Sequence, residues 1–240
     1  MHRFYAPDIA STLLLPDDES GHAVRVLRLK EGDEIEVVDG CGSIYYCHIT
    51  LAHHKRCGVA IDSVKKMPPH WGHKIVIAVA PTKNLDRIEW MAEKCAEMGV
   101  DRIVPLKCRF SERKELKTER IAKILVSAMK QSLKATLPII DEMTPIMDFI
   151  SQDFDGNKYI CYCDPSIPRL EFASEYVPGH DSLILIGPEG DFSPEEIKAC
   201  LDAGFKPVSL GESRLRTETA AVAACFACHT LDINFKNNVI

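Results

Sequence analysis

Apolar and polar positions follow two different patterns along the chain, and the pattern of the first part is that of short strands. Three runs rich in β-branched and aromatic residues lie at residues 35–39, 44–50 and 57–64. Asp39, Gly40 and Gly42 are turn formers between the first two runs. Strands that follow one another so closely favour a small barrel or curled sheet over parallel strands joined by helical crossovers.

From residue 74 onwards the pattern of apolar and polar residues changes to that of alternating strands and helices. A connector at residues 65–72, which contains two adjacent prolines, separates the two regions. Strand candidates are residues 74–80, 102–106, 158–163, 183–186 and 208–210. Helix candidates are residues 85–98, 119–134, 194–203 and the alanine-rich stretch that starts near Thr217. This succession predicts an α/β domain with a largely parallel sheet.

The strand candidate at residues 183–186 runs into an acidic loop that is bracketed by glycines. Gly187 and Gly190 permit the main chain to approach a ligand closely, and Glu189 adds a carboxylate between them. The helix that follows carries the signals of a capping box, namely Ser193, Pro194 and Glu196. The loop is a candidate binding turn, and an ordinary surface turn is the alternative.

A second turn of similar shape but different chemistry lies at residues 211–217. Arg214 and Arg216 place two cations beside the start of the alanine-rich helix, whose first amides lack intrahelical partners. Thr217 or Thr219 is predicted to cap that helix. Cations next to free helix amides favour an anion such as phosphate, and the alternative is a pair of arginines on a solvated loop.

These two turns, and a third at residues 162–164, each follow a strand of the predicted parallel sheet. Ligands of open parallel sheets bind beyond the carboxyl ends of the strands, so we expect the three loops to contribute to one site. The sequence contains neither the glycine pattern of a dinucleotide-binding turn nor a P-loop. The ligand therefore belongs to another class.

The charge is unevenly distributed along the chain. A net charge of −6 argues against a protein that coats nucleic acid indiscriminately. Residues 102–134 nevertheless contain ten Lys or Arg residues and only three Glu residues. Such a run can bind phosphates locally, and a solvated helical face is the alternative.

Ten cysteines are spread through the predicted strands and helices, which favours reduced core residues over a disulfide framework. Cys225 and Cys228, followed by His229, match the spacing of covalent haem attachment. The small apolar residues around them predict a packed helix instead. Because we find neither a membrane-spanning apolar run nor a signal peptide, we expect a cytoplasmic protein with no membrane partner.

Several groups of residues resemble the ribosomal RNA small-subunit methyltransferase E (RsmE) family. In the first region these are residues 1–5, 22–28 and 30–33. In the second region they are residues 82–83, 93–99, 131–132, 187–190 and 215–220. The resemblance extends almost from one end of the chain to the other.

This resemblance implies a SPOUT-type α/β domain with a C-terminal trefoil knot at residues 73–240, preceded by a small PUA-like RNA-binding β-barrel at residues 1–70. It implies S-adenosylmethionine as the methyl donor, without a metal, and N3 of one uridine in 16S ribosomal RNA as the acceptor. The implied partners are small-subunit ribosomal RNA or the 30S subunit, and a second copy of the chain in a homodimer. The competing function is an RNA-binding protein of the same fold without transferase activity.

The resemblance, together with the chemistry of the loops, assigns roles to individual residues. Arg216 is expected to be catalytic with Glu189 or Glu218 as the proton acceptor, and each carboxylate has the alternative role of anchoring a loop amide. The residues expected to bind the donor are Asp164, Gly187, Glu189, Gly190, Leu210, Gly211, Leu215, Thr219 and Ala220. The residues expected to bind RNA phosphates are Arg3, Arg25, Arg28, Lys83, Arg109 and Arg113.

Overall fold

The structure is a computed structural model that describes residues 1–163 and 168–238. The chain divides into two compact units. The first unit consists of Met1–His70 and Val126–Leu137, and the second consists of Trp71–Leu125 and Pro138–Ile240. No helix among the described residues is both long enough and apolar enough to cross a membrane.

A four-stranded sheet forms the centre of the first unit. Its strands are β1 (His2–Tyr5), β2 (Glu34–Val38), β3 (Ser43–Leu51) and β4 (Gly58–Lys66), paired in that order. The pairs β2·β3 and β3·β4 are antiparallel, as the turn-linked pattern predicts. β1 was not predicted from the sequence, and it pairs with β2 in parallel.

Short helices and a returning segment complete the first unit. The helices are α1 (Ile9–Thr12), α2 (Asp17–Gly21) and a π-helix (His22–Val26). Phe4, Ile9 and Ile35 are fully buried in the core that these elements share with the sheet. In the returning segment 126–137, Met129 packs against a second apolar cluster that includes Val38.

The second unit is built on a sheet in which every strand pair is parallel, as predicted. Its strands are β5 (Ile75–Val79), β6 (Arg102–Lys107), β7 (Ile139–Ile140), β8 (Thr144–Pro145), β9 (Asn157–Cys161), β10 (Leu170–Glu171), β11 (Ser182–Ile186) and β12 (Lys206–Ser209). Their spatial order is β10-β12-β9-β11-β5-β6-β7, and β8 pairs with β6.

The remaining helices are α3 (Leu85–Met98), α4 (Thr118–Gln131), α5 (Ile146–Ile150), α6 (Phe172–Glu175), α7 (Pro194–Asp202) and α8 (Thr217–Asn238). The capping box predicted for α7 is confirmed, because the Ser193 side chain accepts the amide of Glu196 and the Glu196 carboxylate accepts the amide of Ser193. In α8, Cys225 and Cys228 are fully buried. The cysteines of the haem-like spacing are therefore core residues of a packed helix.

The order of the strands decides where a ligand can bind. All five residues of β5 and all five of β11 are buried, which is expected for central strands covered on both faces. β12, β9 and β11 are neighbours in the sheet and run in the same direction. Their carboxyl ends therefore lie side by side, and the three loops predicted to form one site start there.

Gly99, which ends α3, provides a sensitive test of packing in the second unit. It has a φ of +122°, and a Cβ added there would lie 2.6 Å from the ring of Trp71, whose indole is held by a hydrogen bond to Asp101. We expect Gly99→Ala to lower the free energy of unfolding by about 3 kcal/mol, because it combines backbone strain with a clash. Gly72 has a φ of +79° but no atom within 4 Å of an added Cβ.

Gly72→Ala is therefore the matched control, and we expect it to cost about 1 kcal/mol from backbone strain alone. Urea unfolding of the two variants and the parent chain measures the difference. Equal losses in the two variants would show that Trp71 moves aside without cost.

Candidate functional site

A cavity of about 920 Å³ lies in the second unit, where β9, β11 and β12 end. Its lining consists of residues 161–163, 168–169 with 171, 186–189 with 191, 208–218 with 220, and Arg87 of α3. The loops that the sequence analysis assigned to one edge of the sheet therefore surround one cavity. Asp164, which was expected to bind the donor, lies outside the described residues.

Two side chains tie these loops together. One carboxylate oxygen of Asp191 accepts the amide of Cys163 at 2.7 Å, and the other accepts the amide of Phe192 at 2.9 Å. The Thr217 hydroxyl donates a hydrogen bond to the carbonyl of Gly187 at 2.9 Å. The loops after β9 and β11 and the start of α8 are thereby linked in one arrangement.

The capping role predicted for Thr217 or Thr219 is wrong. α8 begins at Thr217 itself, and the Thr217 hydroxyl bonds to the neighbouring loop because the Gly187 carbonyl lies within reach. Thr219 is exposed and is not part of the described cavity lining.

The two glycines of the acidic loop have a packing role. A Cβ added at Gly187 would lie 3.1 Å from the ring of Phe192, and one added at Gly190 would lie 3.0 Å from Cβ of Phe110. Gly187 also lines the cavity, whereas Gly190 does not. The sequence predicts that both glycines approach a ligand, whereas in the structure their missing side chains face the protein itself.

The two carboxylates considered as proton acceptors are in different environments. Glu189 is exposed, and its Oε1 accepts the amide of Lys83 at 3.1 Å, so it anchors a loop. Glu218 is only 6% exposed. Its Oε1 lies 3.6 Å from Nη1 of Arg87, and its Oε2 is buried without a hydrogen-bond partner among the described residues. Glu218 is therefore a desolvated carboxylate in the wall of the cavity.

Four arginines line the cavity. Arg214 and Arg216, which the sequence analysis identified, are both exposed. The guanidinium of Arg169 lies over the Tyr162 ring at 5.6 Å and donates to the Tyr162 carbonyl. Arg87 and Arg169 were missed, because no local pattern marks the first turn of α3 or the start of β10 as part of a loop site.

The remaining residues expected to bind the donor lie where the sequence analysis placed them. Leu210, Gly211, Leu215 and Ala220 all line the cavity, together with Glu189. Leu210 to Leu215 form the loop after β12, and Ala220 lies in the first turn of α8, where its amide donates to the Arg216 carbonyl.

Three residues expected to bind RNA lie in the first unit. Arg25, in the π-helix, and Arg28, just after it, are exposed. The side chain of Arg3 is only 10% exposed, and its guanidinium donates to the Glu36 carboxylate at 2.7 Å. Arg3 is therefore engaged within its own unit and is not available to an RNA phosphate.

The other three lie in the second unit. The side chain of Lys83 is 81% exposed, with Nζ 3.1 Å from a carboxylate oxygen of Glu112. Arg109 is also exposed. Arg113 donates to the carbonyls of Thr82 and Lys83, so it holds this loop in place.

The chain is similar to known RNA methyltransferases over nearly its whole length. A family model described as an RNA methyltransferase domain matches residues 69–229, and one described as an RNA methyltransferase PUA domain matches residues 15–61. "Ribosomal RNA small subunit methyltransferase E" of Rickettsia conorii is 29% identical over 223 residues, which cover 89% of this chain and 88% of that protein.

Solved structures give the same result. The crystal structure of a probable rRNA-methyltransferase from Porphyromonas gingivalis matches 98% of this chain and 100% of its own, with a TM-score of 0.92 and 47% identity. A second crystal structure is that of a ribosomal RNA small subunit methyltransferase E from Neisseria gonorrhoeae bound to S-adenosyl methionine. It matches 96% of this chain and 98% of its own chain, with a TM-score of 0.81 and 27% identity. The cavity at the carboxyl edge of the parallel sheet lies inside the matched methyltransferase domain, and the PUA match lies in the first unit. The chain therefore belongs to the RNA methyltransferase family.

Proposed function

We propose that this protein transfers a methyl group from S-adenosylmethionine to N3 of a uridine in the 16S RNA of the small ribosomal subunit. The observation that carries the proposal is the buried carboxylate oxygen of Glu218, which has no hydrogen-bond partner among the described residues and belongs to a cavity that Arg216 also lines. The name of the relative from Rickettsia conorii and the S-adenosyl methionine bound to the Neisseria gonorrhoeae protein support it.

The cavity is suited to this donor. Its volume of about 920 Å³ is within the range of sites that enclose small molecules. Main chain at Gly187, Leu210, Gly211 and Leu215 can hold the polar groups of an adenosine, and the carboxylates of the lining suit a cation. When bound, S-adenosylmethionine supplies an electrophilic methyl group on a positively charged sulfur.

The acceptor needs help from the protein, because the N3 of uracil carries a proton and is a poor nucleophile in that state. Glu218 accepts this proton, since its Oε2 is desolvated and has no competing donor among the described residues. Arg216 stabilises the negative charge that spreads over the uracil oxygens as the proton leaves. Glu189 keeps the role of a loop anchor, because its carboxylate holds the Lys83 amide.

RNA binding is divided between two sets of exposed cations in this proposal. In the first unit, Arg25 and Arg28 bind RNA phosphates, and in the second unit Lys83 and Arg109 do so. We leave Arg3 out because it is paired with Glu36. Residues 1–70, joined by the returning segment 126–137, are then the RNA-binding PUA-like domain. The rest of residues 73–240 is the transferase domain, which acts in the cytoplasm on ribosomal RNA or the 30S subunit.

The proposal includes a SPOUT-type trefoil knot in the C-terminal chain. Its support is the strand order, in which β11 inserts between β9 and β5 and the later β12 returns to the other side of β9. The cavity loops and the start of α8 belong to this stretch.

A homodimer is the proposed assembly, and α8 supplies the contact. Phe226 and Ile233 are both 58% exposed and stand seven residues apart, which places them on one face of the helix. Thr219 is another exposed residue of this face by the same spacing. Large apolar side chains in such a row on a helix are typical of a surface that another protein covers.

Phe226→Asp is expected to convert a dimer into a monomer, because a carboxylate would have to be buried without a partner. We expect the dimer dissociation constant to rise by at least about 100-fold, measured by sedimentation equilibrium. Met147→Asp is the control, since Met147 is 51% exposed on α5. If Phe226→Asp stays dimeric, α8 is not the interface.

Methylation of purified substrate tests the proposed function directly. The protein is incubated with S-adenosylmethionine and either 16S RNA or 30S subunits from cells that lack the gene, and nucleosides are analysed by mass spectrometry. Appearance of 3-methyluridine in one substrate is the expected result. RNA binding without methyl transfer to either substrate, and no heat of binding for S-adenosylmethionine, would favour the RNA-binding protein without transferase activity.

A further inference from the structure

The turn between β3 and β4 in the first unit carries an unusual set of side chains. It reads Ala52-His53-His54-Lys55-Arg56, in which His53, Lys55 and Arg56 are exposed and His54 is half-buried. The rings of His53 and His54 lie with their centroids 4.7 Å apart and their planes inclined by 34°. Two flat rings and two cations are therefore presented together at one end of the sheet.

The turn is held in one conformation by its own hydrogen bonds. The Lys55 amide donates to Nδ1 of His53 at 3.4 Å, and the Arg56 amide donates to the His53 carbonyl at 3.0 Å. On the other side, the His54 carbonyl oxygen would lie 3.6 Å from a Cβ added at Gly21, at the end of α2. A ligand would meet a surface that is already ordered, which reduces the entropic cost of binding.

The π-helix adds a third cation to this turn. Partial burial, then the charge of Arg25, then His53 and Lys55, lower the pKa of the His54 ring from its ordinary value. Arg25 stands four residues after Gly21 in the continuous helical stretch Asp17–Val26, one turn beyond the residue that lies next to the His54 carbonyl. The carboxylate of Glu31 approaches the turn from the preceding loop and accepts the Ala52 amide at 3.5 Å.

We propose that Arg25 and residues 53–56, here called the His–Arg surface, bind unpaired nucleotides of the RNA substrate. Three cations hold consecutive phosphates, and the paired histidine rings provide a face on which a base stacks. Unpaired RNA is the partner that fits this combination, because its bases are free to stack whereas those of a duplex are not. The identity of the RNA rests on the proposed function, but the surface itself does not.

Two features besides charge support RNA as the occupant. All five residues lie within the stretch that matches the RNA methyltransferase PUA domain, residues 15–61. Arg25 also lies in a π-helix, a rare element that is frequent at functional sites.

Binding of a fluorescein-labelled single-stranded 16S RNA fragment, compared with a duplex of the same sequence, tests the surface. Lys55→Gln is expected to weaken binding of both RNAs and to reduce the slope of log affinity against log salt by about 0.7 to 0.9. Lys65→Gln is the matched control, because exposed Lys65 lies near the opposite end of β4, about 23 Å along the strand from Gly58. It should leave the slope unchanged.

The histidines are tested separately from the charges. The double variant His53→Ala, His54→Ala is expected to weaken binding of the single strand about tenfold and to leave duplex binding unchanged. The variant His53→Phe, His54→Phe keeps the flat rings and should retain most of the single-strand affinity. Thermal unfolding of each variant verifies that the first unit is intact.

Two results would overturn the proposal. One is an identical salt slope for Lys55→Gln, Lys65→Gln and the parent chain, and the other is equal loss of single-strand and duplex binding on removal of the histidines. Failure of the proposed function gives a different result. In that case the parent chain produces no 3-methyluridine, while the variants of the His–Arg surface still lose RNA affinity.

Discussion

Glu218→Gln is expected to lower the rate of methyl transfer by about a thousandfold, because an amide cannot accept the N3 proton of uracil. Gln has nearly the same size and shape, so the buried position and its contacts with the cavity wall remain filled. RNA affinity, measured by fluorescence anisotropy, should not change. Single-turnover transfer to 16S RNA, followed by mass spectrometry, measures the rate.

Glu189→Gln distinguishes the two carboxylates. The amide oxygen of Gln can still accept the Lys83 amide, so a residue that only anchors this loop loses little when it is replaced in this way. A large loss of rate in Glu189→Gln, together with a normal rate in Glu218→Gln, would transfer the role of proton acceptor to Glu189.

The environment of Glu218 explains why a single residue can have such an effect. A carboxylate that is 6% exposed has lost most of its water, and Arg87 at 3.6 Å is a long ion pair that serves only one of its two oxygens. The other oxygen has no hydrogen-bond partner among the described residues. A buried acceptor left in this state costs free energy unless a ligand supplies a donor.

The elements of the second unit that sequence predicted well are those with local causes. The buried run of β11 and the capping box of α7 depend on residues within a few positions of one another. The side-by-side placement of three loops also followed from the sequence, because parallel strands end at the same edge. These local signals were sufficient to locate the cavity.

Contacts between distant parts of the chain could not be predicted in the same way. Thr217 has the sequence signature of a cap, but its hydroxyl bonds to Gly187, thirty residues away in the chain. Arg87 reaches the cavity because α3 packs against α8, which no periodicity in α3 reveals. β1 pairs in parallel with β2, and segment 126–137 belongs to the first unit, across long intervals of sequence.

The same limit applies to charged residues. Arg3 and Arg28 look alike in the sequence, as cations within the region that resembles an RNA-binding domain. In the structure Arg3 is half-buried and paired with Glu36, whereas Arg28 is exposed with a φ of +57°. Only the position of the carboxylate partner, one strand away, separates a structural arginine from one that is available to RNA.

Arg216→Ala is expected to lower the rate of methyl transfer by about 100-fold to 1,000-fold, because the charge that develops on the uracil oxygens loses its donor. The backbone of Arg216 is fixed, since its carbonyl accepts the amide of Ala220 in the first turn of α8. A side chain that starts from a fixed point can hold a charge in place during the reaction. Affinity for S-adenosylmethionine, measured by calorimetry, is expected to change by less than about threefold.

Two further variants make this prediction specific. Arg216→Lys should be intermediate in rate, because lysine keeps the charge but not the paired donors of the guanidinium. Arg214→Ala removes an exposed arginine from the same cavity loop, two residues earlier, and should reduce the rate by only a fewfold. If Arg214→Ala and Arg216→Ala lose equal rate, or if Arg216→Ala transfers methyl groups normally, the charge at the uracil is stabilised by another residue of the cavity.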